Sequence, residues 1–455
     1  MTLDMGAFAR AAAELGTPRL RVGILSDIHI KTVADIPLLE RTFTYFRDRD
    51  VDAVLIAGDM ADSGLEKQMR PISECWFRVF PRDKGIGSKK VERLFVYGNH
   101  DMEGQTYAIG DDVLSGEDRE TMVRREEIRP RKEKLWKKYW KEEFQPIYVK
   151  DVKGYKFVGA HWTNWQNTPG LKEFLEEHAD ILKGEKPFFY FQHPHPKGTT
   201  GGPWVWGQDN GEVTAVLGGY PNCICFSGHS HQALNDEHVL WQGAFTSIGT
   251  ASLSYTTLTG GRENTVIWDG ASYPSEMPQM DMQQGRQGMV MSVYDDTICL
   301  ERRDFLYEKP MDGNWIIPLS AAGKPCSYEE RAAAEAVPRF AAGDAATVSL
   351  SGAEEGKKLV TVHFPNVLKR TCGVRAYDFE VTLEHLRQDI TLVSGQKRVF
   401  SSHRMNCEEQ DAGEVTCVFA FDDVPHNFPC RFAVRPCGCF GAKGEPIYTE
   451  WQKFE

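Results

Sequence analysis

A chain of 455 residues is too long for one ordinary core, so two domains are expected. Apolar residues at 41% and charged residues at 26% exclude a disordered chain, and no run approaches the roughly 18 apolar residues of a membrane span. The net charge of -12 disfavours nucleic acid or an anionic membrane surface as main partner, so an anionic small substrate would need a local positive field.

The first residues, MTLDMGAFARAAAELGTPRL, lack a basic region followed by an apolar core and do not read as a signal peptide. Six short apolar, β-rich runs follow, each ending in a polar residue: RVGILSD (21–27), DAVLIAGD (52–59), RLFVYGNH (93–100), KFVGAHW (156–162), PFFYFQH (187–193) and NCICFSGH (222–229). Helical spacing in stretches such as PLLERTFTYFRDRD and LKEFLEEHADILKG separates several of them. The alternation predicts an α/β layout, in which polar residues collect at the carboxyl ends of the strands.

Two insertions stand out. RREEIRPRKEKLWKKYWKEEF (124–144) sets Leu135 with Tyr139 and Trp136 with Trp140 at i, i+4, which predicts an amphipathic helix whose charged face meets water. HPHPKGTTGGPWVWGQDNGE (193–212), rich in Gly and Trp, predicts a mobile loop able to touch substrate. His178 falls in a helical run and reads as a surface residue, and His161, Trp162 and Trp165 read as core aromatics that could also line a site.

GMVMSVYDDTICLERRDFLYE predicts the closing strands of a first domain spanning 1–308. Residues 309–338, mixed in Pro, Gly and Ala, predict a linker. From 339 to 455, ATVSLS, KLVTVHF, VRAYDFEVTL, DITLVS, KRVFSS, VTCVFAF and RFAVRP recur between polar turns, which predicts an antiparallel β-sandwich. VRAYDFEVTL faintly resembles a strand of fibronectin type III or immunoglobulin-like domains. Eleven cysteines, an odd number, point to reduced thiols and a cytoplasmic protein. Neither Cys223 with Cys225 nor Cys430, Cys437 and Cys439 shows the paired CxxC spacing of structural zinc.

The polar residues at the strand ends are Asp27 and His29, Asp59, Asn99 with His100, His193, and His229 with His231. In extended chain, residues two apart share a face, so each Asp-x-His or His-x-His pair can aim at one point. Two carboxylates, several imidazoles and one amide oxygen suit zinc, manganese, iron or cobalt, and a bridging Asp59 would hold two ions about 3.5 to 4 Å apart.

The blocks DIH, GDMAD, GNHD, QHPHP and GHSH, in that order, resemble the calcineurin-like metallophosphoesterases over roughly residues 20–305. The resemblance implies a four-layer αββα fold. It implies two divalent ions (Mn, Fe, Zn or Co): one on Asp27, His29, Asp59 and His231, the other on Asp59, Asn99, His193 and His229. His100 would contact the phosphoryl group or protonate the leaving oxygen. Asp62 and Asp101 join it as candidate catalytic-site residues, either orienting a ligand and tuning His100 or shaping their turns. QHPHP offers both His193 and His195; His193 directly follows the strand and fits the family position.

Members that dephosphorylate proteins carry Arg just before GNH, where this chain has Tyr97. Purple acid phosphatases carry a tyrosine where it has Asp62. The remaining pattern is similar to bacterial cyclic-nucleotide phosphodiesterases and other phosphohydrolases. Two divalent ions, two carboxylates and a bridging hydroxide would leave the centre one charge positive, and the hydroxide would attack phosphorus in line. The expected activity is therefore dinuclear hydrolysis of a small phosphomonoester. The alternatives are a phosphodiesterase for a cyclic nucleotide or lipid headgroup, and a metal- or partner-binding protein on a retired phosphoesterase fold.

Overall fold

Leu20–Leu25 (β1), Ala53–Ala57 (β2) and Glu92–Val96 (β3) are short runs of mainly aliphatic residues with almost every position buried, the pattern of parallel strands covered on both faces. The computed structural model describes residues 15–107, 125–163, 168–203, 205–258, 260–265, 277, 279–311, 313–319, 326–352, 358–405 and 412–455. In it β1 pairs with β2 and β2 with β3, both in parallel. The chain between them runs through helices α1 (Ile36–Asp48) and α2 (Glu66–Val79). Beyond β3 lie α3 (Asn99–Tyr107) and α4 (Arg125–Trp140).

A second sheet follows, built from β4 (Ile147–Val152), β5 (Tyr155–Ala160), β6 (Phe188–Phe191), β7 (Cys223–Ser227), β8 (Leu240–Gln242) and β9 (Thr246–Gly249). Its order is β4-β5-β6-β7-β9-β8, and β5, β6, β7 and β9 run parallel. Helices α5 (Leu171–Glu177), α6 (Ala179–Leu182) and α7 (Glu212–Leu217) belong to this half. The chain then returns to the first sheet with β10 (Gln287–Val293), β11 (Thr297–Asp304), β12 (Lys309–Pro310) and β13 (Trp315–Pro318). β10 lies antiparallel against β1, and β11 carries both β12 and β13.

Packing follows from which faces are apolar. Leu20, Val22, Ile24 and Leu55 share one core with Phe157, Phe189 and Phe226, so the two sheets meet face to face. On the outer face of the first sheet, Val54, Ile56 and Phe95 pack with Phe43, Phe46 and Trp76 of α1 and α2. On that of the second, Val158, Phe188, Tyr190 and Cys225 pack with Leu171, Leu175, Val213 and Leu217. The expected four αββα layers are the result.

Two departures from the sequence reading concern boundaries. Lys309–Pro310 and Trp315–Pro318, expected within a linker, form β12 and β13, the latter because Ile316 and Ile317 pair with Cys299 and Ile298 of β11 despite the Pro and Gly around them. The second compact unit also takes in 235–237 and 258–282 besides 331–455. Within that unit Arg262 pairs with Asp378, and Asn264 exchanges hydrogen bonds with the backbone of Phe400.

This second unit is a sandwich of β14 (Thr347–Gly352), β15 (Lys358–Pro365) and β18 (Glu414–Ala420) with β16 (Asp378–Arg387), β17 (Ile390–Phe400), β19 (Cys430–Cys437) and β20 (Ile447–Tyr448). Val360, Val362 and Phe419 of one sheet share a core with Phe379, Val381, Phe432 and Val434 of the other. DITLVS and KRVFSS, expected as two strands, are the single strand β17. A register shift at Leu383/Glu384 absorbs the Ser394–Gly395 interruption as a bulge.

Candidate metal centre

The carboxyl ends of β1, β2, β3, β6 and β7 deliver the polar blocks, and the loops that carry them are stitched to one another. Asp27 and Ile28 donate backbone N–H groups to the carbonyls of Gly58 and Asp59 at 3.0 and 2.8 Å, and Gly228 donates to His193 O at 2.9 Å. The N–H of His229 donates to the Asp27 carboxylate at 3.0 Å, tying a loop of the second sheet to one of the first.

Convergence of the side chains does not come from strand alternation, as the sequence reading supposed. Asp27, His29, Asp59, His229 and His231 all have left-handed backbone, with φ of 50°, 48°, 52°, 71° and 54°. Such conformations are uncommon outside glycine and cost on the order of 1–3 kcal/mol each, so the surrounding structure must impose them. Glycines make the room. A Cβ on Gly98 would lie 2.1 Å from Asp59 Oδ1, and one on Gly228 2.4 Å from Asp27 Oδ2.

Two groups of buried donors result: Asp27, His29 and His231, and Asp59, His193 and His229. In the first, His231 Nε2 lies 3.0 Å from Asp27 Oδ1 and 3.2 Å from His29 Nε2. In the second, His193 Nε2 lies 2.9 Å from Asp59 Oδ2 and 3.1 Å from His229 Nδ1. Asp59 Oδ2 is also 3.7 Å from His29 Nε2, so one carboxylate reaches both groups. Asn99 is buried at the start of α3, between Gly98 and His100, whose N–H donates to Asp59 Oδ1 at 2.9 Å.

Three imidazoles are oriented from behind. Nδ1 of His193 faces the Ala57 carbonyl (2.8 Å), Nδ1 of His231 the Tyr255 carbonyl (3.0 Å), and Nδ1 of His29 the Asp62 carboxylate (3.3 Å). Each partner can only accept, so Nδ1 carries the proton and Nε2 is turned to the cluster. Burial opposes charge here. Even so, His231 and His193 draw Asp27 down to about 2, and the Asp59 and Asp27 carboxylates outweigh burial to raise His193 to about 9. The cluster thus attracts positive charge, and its mixed N/O donors fit divalent ions in place of that proton.

The remaining expectations sort by what each side chain touches. Nδ1 of His100 lies 2.6 Å from the Asp62 carbonyl, and its ring stands edge-on to His29 at 4.5 Å. Burial opposes charge on Asp62, yet the hydrogen bond and charge of His29, with Lys31 and His100, together outweigh it and lower the carboxyl. Asp101, grouped with His100 in the sequence reading as a catalytic candidate, is fully buried and accepts N–H bonds from Met60, Ala61 and Gly98. Burial, with Asp59 nearby, raises it to about 6, and its bonds make it a clamp between the β2 and β3 loops. His195 sits between the hydroxyls of Ser227 (2.7 Å) and Ser230 (2.6 Å), whereas His193 is the one at Asp59.

His161 accepts from Tyr97 N and packs against Trp136 and Phe144, as a core residue does. Trp162 is buried with its ring 5.7 Å from that of His229. Trp165 lies outside the described residues. His178 is half-buried, stacked on Phe174.

Some participants escaped the sequence reading. Tyr255, following β9, lies 4.3 Å from His231 ring to ring; the small-residue run after FTSIG was the available signal. Lys132, expected on a solvated face, is buried with its ammonium on the Gly64 carbonyl, because α4 packs against α2 and α3. The 193–212 loop is not loose: His195 N donates to Gly207 O, Asp209 N to His195 O, and Trp206 stacks on His229 at 4.6 Å.

Residues 20–233 match the family model of the calcineurin-like phosphoesterases. Over this stretch, just under half of the chain, the protein is similar to the calcineurin-like phosphoesterases. No curated protein matches the chain at a significant level. Among solved structures it is similar to a dimetal phosphatase from Danio rerio, at 11% identity and TM-score 0.39 over 67% of this chain and all of that one. It is likewise similar to GAP50, the anchor in the inner membrane complex of Plasmodium, at 10% identity and TM-score 0.38 over 68% and 90%. A third is Vacuolar Protein Sorting 29 from Cryptosporidium parvum, at 11% identity and TM-score 0.26 over 66% and 97%. The calcineurin-like domain is a metal-dependent phosphoester hydrolase. Among the described residues, no helix is long and apolar enough to cross a membrane.

Proposed function

We propose that the protein is a phosphomonoesterase for small phosphorylated molecules, with one ion on Asp27, His29, Asp59 and His231 and a second on Asp59, Asn99, His193 and His229. The observation that carries this reading is the pair of buried donor groups reached by a single Asp59 carboxylate. Divalent ions held there (Mn, Fe, Zn or Co) supply Lewis-acid activation of water and neutralise charge on the phosphoryl oxygens. His100, fixed through Nδ1 on the Asp62 carbonyl, offers Nε2 to the phosphoryl group and the leaving oxygen. Asp62 orients His29, and Asp101 holds the two loops in register. The net charge of -12 works against polyanionic substrates, and the buried free thiols support a reducing, cytoplasmic setting.

Hydrolysis of p-nitrophenyl phosphate and bis-p-nitrophenyl phosphate by chelated, then manganese-reloaded protein tests this, with Asn99→Ala as control. Expected is metal-dependent turnover favouring the monoester and lost in the control. Preference for the diester would replace the monoesterase reading with a phosphodiesterase, and absence of bound metal after reloading would favour a retired fold.

A further inference from the structure

We propose that Trp206 is a stacking platform for a planar aromatic group, nucleobase or aryl ring, carried by the phosphate ester. This rests on the phosphoesterase reading above and names a substrate class within it. The indole lies nearly parallel to the imidazole of His229, 27° and 4.6 Å between ring centres, yet the residue is 42% exposed. Among the described residues, Trp206 and Tyr448 are the large exposed aromatics, and Trp206 is the one beside a donor group. Tryptophan leaves that much apolar surface in water at a cost, which contact with a flat ligand would recover.

The backbone holds the indole in place before any ligand arrives. Gly207 O accepts from His195 N at 2.9 Å, and the Gln208 amide donates to the carbonyls of Thr200 and Gly202. The Asp209 carboxylate accepts from Lys197 N, Gly211 N and the Gln192 amide. Ordering such a loop on binding therefore costs little. Because His229 is both the stacking partner and a donor, a phosphate at the donor cluster places its ester group next to Trp206. Tyr255, on His231, and Trp162, near His193 and His229, add aromatic wall to the same cluster.

The competing account is that Trp206 only shields His229 from water, in which case its loss weakens every phosphate alike. Calorimetric binding of adenosine 5′-phosphate and ribose 5-phosphate, which differ by the base, to the metal-loaded full chain separates the two. Expected is about tenfold tighter binding of the nucleotide, within the range of base–aromatic stacking, and a ratio near one in Trp206→Ala. Trp206→Phe keeps a ring and should retain most of the ratio. Phenyl phosphate against glycerol 1-phosphate repeats the comparison for a plain aryl ring, and a Trp206-dependent ratio confined to one pair assigns the platform to nucleobase or aryl. A wild-type ratio near one in both pairs, or ratios unmoved by Trp206→Ala, would overturn the platform. Failure of the phosphoesterase reading looks different: neither phosphate of either pair binds in a metal-dependent way.

Discussion

The same backbone conformation does different work in the two units. In the sandwich, Gln388 and Asp389 have φ of 49° and 62°, and they form the two-residue turn between β16 and β17. Left-handed twist at both positions is what such a hairpin turn requires, and Gly or Asn would serve it better. In the phosphoesterase domain the five left-handed donors sit where the side chain cannot be exchanged. Left-handed backbone with an unsuited residue therefore marks function only when its neighbours converge, as Asp27, His29 and His231 do.

That contrast can be broken most severely at Gly98. Gly98→Ala would drive a methyl group into Asp59 Oδ1, so elemental analysis should find most metal lost and kcat/KM reduced by about 10³-fold. His100→Ala should keep the ions yet lower kcat about 100-fold, since proton transfer and phosphoryl hydrogen bonding are its contribution. A buried carboxylate outside the site should instead show itself in stability alone. Burial pushes Asp304, at the end of β11, up to about 6. Its folded pKa exceeds the unfolded value of about 4, so its favourable contribution is full below pH 4 and lost as pH rises to 6. Thermal denaturation across that window should show a fall in stability with rising pH worth about 3 kcal/mol that Asp304→Asn removes. Least affected is the hairpin: Gln388→Asn with Asp389→Gly should raise stability by about 0.5 kcal/mol, by thermal melting, and leave turnover as it was.

Much of the site was legible because each donor block follows its own strand. Runs such as DAVLIAGD and NCICFSGH announce both a buried strand and the polar residue it delivers, and the sheets place those ends together. The means of convergence was not legible, since alternation predicts extended chain where Asp27 and His29 are left-handed. Burial of Lys132 was hidden for a related reason: a charged residue reads as solvated until the neighbouring helices are in place. Proline and glycine concealed β12 and β13, where pairing with β11 outweighs weak local propensity. Tyr255 and Trp206 belong to loops, and only the folded loop says which aromatic meets a donor.

The hydrogen bond from His229 N to Asp27 joins residues 202 positions apart. A chain made from its amino end exposes Asp27 early, and the second donor group is complete only when residue 229 has emerged from the ribosome, the first only at residue 231. β1 waits longer still, with one edge open until β10 is made. Capture of the ion pair by a full set of donors must therefore wait for β7, and a tightly held pair of metals certifies that synthesis has passed it.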